Sequence, residues 1–248
     1  MSPSKEGFDP QENGGESAPR RLYTRAGVVA IAKPAGLPTQ APPGVASAEA
    51  WLRGLLPPGA YVGVPHRLDR AVSGVLLLAT TPRAARKLCR QFERREVAKT
   101  YLALLPGDAG LAEGRADWRD FLVKVPDAPR ARIAAATEPG AREAVTRVRV
   151  IARPGGLMLA LLEPLTGRMH QLRVQAASRG LPIVGDLLYG GPPAAGFVPP
   201  ADPRQSAIAL HAWRIAYADP DSGAASTVEA PLPESWPAAA AAALAAAS

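Results

Sequence analysis

An α+β fold, with a mixed, largely antiparallel sheet and flanking helices, is what the sequence predicts, on three observations. Apolar runs of strand length outnumber helical patterns, and the two do not alternate regularly as they would in a doubly wound parallel sheet. The turn Pro154-Gly155-Gly156 also joins two such runs as a natural hairpin.

Taken in order, residues 1–20 are polar, rich in Gly, Pro, Ser and Glu, and without hydrophobic period, so a disordered leader is expected. Gly27 to Ala32 is a short β-branched run that reads as a buried strand, closed by the turn-rich Lys33-Pro34-Ala35-Gly36-Leu37-Pro38. Residues 47–56 suit a short helix, with Ser47 as N-cap and Trp51, Leu52, Leu55 and Leu56 as its apolar positions, and Pro57-Pro58-Gly59 ends it. Val72 to Ala79 is a second apolar strand. Thr81-Pro82 then caps a helix running to about Arg95, because proline in the first turn gives up no needed N–H. Ala85, Leu88, Cys89 and Phe92 fall on one face of it. Arg83, Arg86, Lys87, Arg90 and Arg94 fall on the other, a face either solvated or turned toward a polyanion.

Lys99 to Leu105 is strand-like and stops at Pro106-Gly107. Residues 142–152 interleave Ala144, Val148 and Val150 with arginines, and Leu157 to Leu162 returns as the hairpin partner. Met169, Leu172, Val174 and Ala176 predict a helix beginning near Thr166, with Arg168 and Arg173 in or near its first two turns. Gly180, Gly185, Gly190 and Gly191 mark backbone that turns tightly or is approached closely. A Pro- and Ala-rich loop covers 192–205, Ile208 to Tyr217 is another strand, and Thr227 to Ala230 pairs with it. The alanine run from Pro237 to Ser248 has helical propensity, but so short a helix is marginal alone, and a mobile tail is expected. The domain reading is therefore leader 1–20, one domain over 21–236 and tail 237–248.

The chain carries 248 residues and a net charge of +7. Residues 1–19 hold −3 of this, Lys5 against Glu6, Asp9, Glu12 and Glu16, which leaves +10 on the remainder. A basic, arginine-rich body suits a polyanionic partner, since the guanidinium fork binds phosphate and stacks on bases. Cys89 is the single cysteine, which excludes an intramolecular disulfide and a multi-cysteine metal site. His66, His170 and His211 lack metal-ligand spacing. The N-terminus has no apolar signal region, and no apolar run approaches membrane-span length, so a cytoplasmic protein in a reducing compartment is expected.

The stretch His66-Arg67-Leu68-Asp69-Arg70 sets one carboxylate between two arginines just ahead of an apolar strand. Nearby positive charge favours the ionised acid. Such an acid can serve as nucleophile, base or electrostatic anchor, or simply as part of a surface ion-pair cluster.

With Ser73-Gly74, this stretch resembles the signature of the RluA-type pseudouridine synthases, which isomerise uridine in structured RNA. Four further motifs follow the family's order: Lys33-Pro34-Ala35-Gly36-Leu37; Lys99-Thr100-Tyr101-Leu102-Ala103-Leu104; Thr166-Gly167-Arg168-Met169-His170-Gln171-Leu172-Arg173; and Leu181-Pro182-Ile183-Val184-Gly185-Asp186 with Tyr189-Gly190. Leu210-His211-Ala212 closes the set, and the resemblance spans about residues 22 to 217.

The resemblance implies the family's single catalytic domain and a catalytic group of Asp69, Tyr101 and Arg173. Asp69 matches the essential aspartate, Tyr101 the tyrosine that packs on the target base, and Arg173 the cation paired with the aspartate. Arg67 matches an arginine inserted where the base is flipped out, and Arg70, Lys99, Arg168, His170 and Gln171 are assigned to RNA binding. These roles suit the chemistry. A stacked base must be extruded before its atoms can react, a ring under it contributes roughly 1–3 kcal/mol, and a buried carboxylate stays charged only beside a cation.

Two departures from the family pattern, Val72 for a threonine and Gln175 for a histidine, remove no group needed for bond-making and are expected to tune packing or RNA contacts. No additional RNA-binding module is expected ahead of residue 22. Neither metal nor organic cofactor is implied, because the isomerisation needs no redox chemistry and no external nucleophile. The expected partner is structured ribosomal or transfer RNA, with no membrane and a monomer as default. Two other classes remain open: a non-catalytic RNA-binding protein on this fold, and a glycosidase, for which Asp186 would be the second acid.

Overall fold

A computed structural model of the chain describes residues 18–107, 114–193 and 207–247. Among the described residues, ten strands form one sheet and four α-helices accompany it. In chain order these are β1 (Arg20–Arg25), β2 (Val28–Lys33), α1 (Ala48–Gly54), β3 (Ser73–Ala79), α2 (Pro82–Glu93), β4 (Ala98–Pro106), β5 (Arg115–Lys124), β6 (Ala131–Ala134), β7 (Arg142–Ala152), β8 (Leu157–Pro164), α3 (Gln171–Ala177), β9 (Leu210–Ala218), β10 (Ala225–Glu229) and α4 (Ala238–Ala247). The α+β class read from the sequence is the one observed.

The sheet runs β1-β2-β3-β9-β4-β8-β7-β5-β6, with β10 also paired to β9. Every pairing is antiparallel except β3 with β9, which touch in parallel over only Ser73↔His211 and Gly74↔Ala212. This short junction joins two antiparallel halves, each with its own core. Val28, Ile31, Leu76 and Leu78 pack with Leu52 of α1 and Leu88 of α2 on one side. Leu102, Leu104, Met158 and Leu162 pack with Leu172 and Ala176 of α3 on the other. Tyr101 packs against both.

Local chemistry fixes the first two helices as the sequence implies. The Ser47 and Thr81 hydroxyls accept the backbone N–H groups of Ala50 and Ala84, each at an extended N-cap, and Pro82 opens α2. Helix α3 starts later than its apolar spacing suggests. His170 stands at φ 51, ψ 26, outside helical geometry, so Thr166 to His170 form a turn and Arg168 lies before the helix. The leader's first 17 residues and most of the Pro/Ala loop, from 194, lie outside the described residues; Arg20 already belongs to β1.

The alanine run corrects the expectation of a mobile tail. It is helix α4, and tertiary packing rather than propensity accounts for it: Ala240 is 0 % exposed, and Ala243 and Leu244 lie on the core beside Trp236.

At the junction Gly74 has φ 121, and a Cβ there would stand 2.3 Å from the Ala212 carbonyl oxygen. Only glycine permits this approach. Beside it the Ser73 hydroxyl meets His211 Nδ1 at 2.9 Å, while His211 Nε2 donates to the Ala230 carbonyl at 3.2 Å. Gly74→Ala is expected to destabilise the fold by about 3 kcal/mol or more, lowering the melting temperature by roughly 6–12 °C. A melt within two or three degrees of wild type contradicts the close approach.

Candidate active site

The loop before β3, the middle of β4 and the turn into α3 converge on a cleft of about 1710 Å3. Asp69, Tyr101, Arg173, Arg67, Lys99, Arg168 and His170 all line it. A cleft this large exceeds the few hundred to 1,000 Å3 or so of an ordinary small-molecule pocket and can admit a polymer segment.

The Asp69 loop is held from beneath. Lys33 at the end of β2 is buried and donates to the carbonyls of Pro34 at 2.8 Å, Leu37 at 2.7 Å and Arg70 at 3.4 Å. The Arg70 carbonyl also accepts the Gly36 N–H at 2.8 Å, and Arg70 Nε returns to the Gly36 carbonyl at 2.7 Å. Thr39 adds a reciprocal pair with the Leu68 backbone, 2.9 and 3.1 Å. Arg70, assigned to RNA from sequence, thus clips two loops together through Nε, whereas Arg67 is exposed on the cleft wall.

Arg173 is placed by Asp186. Its Nε and Nη2 donate to Asp186 Oδ2 and Oδ1 at 2.7 and 2.8 Å, a bidentate pair in which Asp186 is only 1 % exposed. The remaining Nη1 reaches Asp69 Oδ2 at 3.5 Å. Burial opposes the charge on Arg173, but its hydrogen bond to Asp186 and the attraction of both carboxylates raise its pKa above the ordinary value. Asp186 is therefore fully engaged and cannot be the free second acid that a glycosidase requires.

On the adjoining wall, Tyr101 is raised well above the usual phenol value, first by burial and then by Asp69. It is a neutral ring facing the carboxylate. Burial lowers Lys99. Arg168 anchors through Nε to the Glu143 carbonyl at 2.9 Å, and burial together with Arg95 and Arg142 lowers its pKa.

Gln171 departs from its sequence assignment. It is 5 % exposed, and its amide is used inside the protein: Oε1 accepts from Thr166 Oγ1 and the Arg168 N–H, and Nε2 donates to the Val145 carbonyl and Thr146 Oγ1. It builds the turn that presents Arg168 and His170, and has no amide valence left for RNA. Gln175 is likewise internal, bonding Thr146, Asp120 and the Trp118 and Ala144 carbonyls. His66 accepts the Leu77 N–H at 2.9 Å and stacks on Phe92, its pKa pushed down to about 3 by burial and then by Lys99.

This motif set on this fold decides the family, because the model of RNA pseudouridylate synthases matches residues 27–178. The chain belongs to that family. The dual-specificity RNA pseudouridine synthase RluA of Yersinia pestis is 34 % identical over 206 residues, 82 % of this chain and 93 % of the relative. The ribosomal large subunit pseudouridine synthase D of Xanthomonas campestris pv. campestris is 36 % identical over 225 residues, 86 % of this chain and 66 % of the relative. Among solved structures, human RNA pseudouridylate synthase domain containing 1 superposes with a TM-score of 0.70 at 26 % identity, covering 90 % of this chain and 87 % of that one. The protein is an RluA-type RNA pseudouridine synthase, an isomerase that acts on RNA. No helix among the described residues is long and apolar enough to cross a membrane.

Sequence reading passed over two residues of this pseudouridine synthase. Lys33 stood in a motif without a role, although a lysine ending a buried strand is itself a signal that its charge is handled internally. Tyr189, also without a role, touches both Arg173 and His170.

Burial, outweighing the attraction of Asp69, pushes Lys33 down to about 7. Below about pH 7 the folded and unfolded chains both hold the proton, and the desolvation cost is complete. Between there and 10.5 only the unfolded chain holds it, so the stability contributed at Lys33 rises with pH. Denaturant unfolding of wild type and Lys33→Met at about pH 6 and about pH 9 is expected to show the difference moving in favour of wild type at the higher pH. A pH-independent difference speaks against the depressed value.

Proposed function

We propose that the enzyme isomerises particular uridines of structured ribosomal or transfer RNA, with Asp69 acting at the sugar, Tyr101 under the base and Arg173 holding the aspartate. The observation that carries this is the distribution of contacts on one carboxylate. Both Arg173 and His170 approach Asp69 at Oδ2, and among the described residues Oδ1 has no protein partner. One oxygen is held, and the other is left for the substrate.

The N1–C1′ bond breaks, the freed uracil turns within the pocket, and C5 bonds to C1′. The C5 proton is lost and N1 takes one up. Asp69 either attacks C1′ or removes the C2′ proton, and both routes need it ionised. Arg173 is the fixed cation that makes this affordable in a half-buried position. Tyr101, neutral and walled in, offers a stacking face and a hydroxyl near the C5 proton. Arg67, Lys99 and Arg168 supply positive charge along the cleft for backbone phosphates, with Arg67 free to enter the stack vacated by the flipped base.

Support for ribosomal RNA comes from the name of one relative, a large-subunit ribosomal enzyme, while the other is named a dual-specificity RNA enzyme. The catalytic unit takes in the elements from β1 to α4. All the groups assigned lie on one chain, so a monomer suffices, and a cytoplasmic location suits an enzyme of RNA maturation.

The test is tritium release from RNA labelled at uridine C5, with Asp69→Ala as control. Release by wild type that the substitution abolishes is the expected result. A folded wild-type protein that binds RNA but releases no tritium from ribosomal or transfer RNA would instead be a binding protein on this fold.

A further inference from the structure

We propose that His170 is a positioning residue for Asp69, donating from Nε2 to Oδ2, and that Tyr189 fixes it in the tautomer that can do so. This rests on the reading of Asp69 given above, and it moves His170 from the RNA contacts to the reacting group's immediate support.

The tautomer follows from the hydrogen-bond network. The Tyr189 hydroxyl accepts the Ala131 N–H at 2.9 Å. Its own proton is then free for His170 Nδ1, also at 2.9 Å. A neutral imidazole that accepts at Nδ1 carries its proton on Nε2. Nε2 faces Asp69 Oδ2 at 3.7 Å, beside Arg173 Nη1 at 3.5 Å from the same oxygen. The arginine contact is at the outer limit of a hydrogen bond and the histidine contact just beyond it, as is common for catalytic contacts before substrate tightens the site.

Three further observations agree. His170 adopts the left-handed conformation, φ 51, which costs a residue with a Cβ about 1–2 kcal/mol and is retained where placement of the side chain matters. The ring is interlocked with its neighbours, edge-on to Tyr189 at 5.7 Å and 87°, while the Arg173 guanidinium lies 5.1 Å from the centre of the same tyrosine ring. The His170 side chain is only 11 % exposed, which leaves little of it for an RNA phosphate. Burial lowers its pKa against the attraction of Asp69, with Arg173 acting with burial and Asp186 against it, so it stands neutral as the network requires.

The experiment uses the full chain and 5-tritiated transcripts of transfer and ribosomal RNA, reading the single-turnover rate of tritium release separately from RNA affinity. His170→Ala is expected to slow release about 10- to 100-fold, the value of a hydrogen bond to a charged group, with affinity within about twofold of wild type. Tyr189→Phe, which removes one hydroxyl, is expected to slow it about 2- to 10-fold. His170→Gln puts an amide N–H near the Nε2 position and is expected to recover most of the loss, which a merely structural role would not allow; it and Tyr189→Phe conserve shape if His170→Ala fails to fold. An unchanged rate with weakened RNA affinity would return His170 to the RNA contacts and overturn the inference. So would a glutamine variant no better than alanine, or a Tyr189→Phe enzyme as fast as wild type. Wild type without tritium release overturns the underlying reading instead.

Discussion

The parallel contact of two residues between β3 and β9 is the constraint on which the site depends. Ala212 pairs with Gly74 on one side and with Tyr101 on the other. The strand that leaves the aspartate loop and the strand that carries the tyrosine are thus spaced by the width of one small residue's strand. Ser73 and His211 tie the same place with a hydrogen bond that keeps the histidine buried and its pKa pushed down to about 4 by burial. Without a glycine at 74 the halves would separate, and the cleft between them would lose its shape before any reacting group was touched.

A second layer of order is electrostatic and runs outward from the interior. Asp186 is buried and takes two of the guanidinium's nitrogens, Nε and Nη2; the third, Nη1, is left over for Asp69. A buried ion pair is a poor source of stability, because desolvation consumes most of its attraction. Here its effect is geometric: a cation that cannot rotate is offered to a carboxylate that must stay charged. Lys33 works in the same sense from below, gathering the carbonyls of two loops around one amine.

Much of this was legible in the sequence where the signal is local. Ser47, Thr81 and Pro82 announce their helices, and the apolar runs at Val28 and Val75 announce the central strands, because caps and burial need only near neighbours. The proposed catalytic group was read only through the resemblance of motifs. What could not be read depends on contacts distant in sequence. Strand β1, beginning at Arg20, exists by pairing with β2. Strands β5 and β6, which received no reading, carry charges at Arg115, Asp117 and Arg119 that obscure their alternation, and they form by pairing with β7 and with each other. The late start of α3 is set by one residue's left-handed backbone, and the inward turn of Gln171 by partners on β7 and before α3. A polar residue in a motif says that it matters, and only its partners say whether it faces the substrate or the protein.

Helix α4 carries one further consequence. From Ala238 to Ala247 every residue but one is alanine. A face made of identical small side chains has no register of its own: turned by one residue or moved by one turn, it presents the sheet with the same surface. Leu244, resting on the core, is the single mark that distinguishes one placement from another. The number of alanines can therefore drift by insertion or deletion at little cost to folding, whereas the spacing from Trp236 to Leu244 is the quantity the sheet can feel.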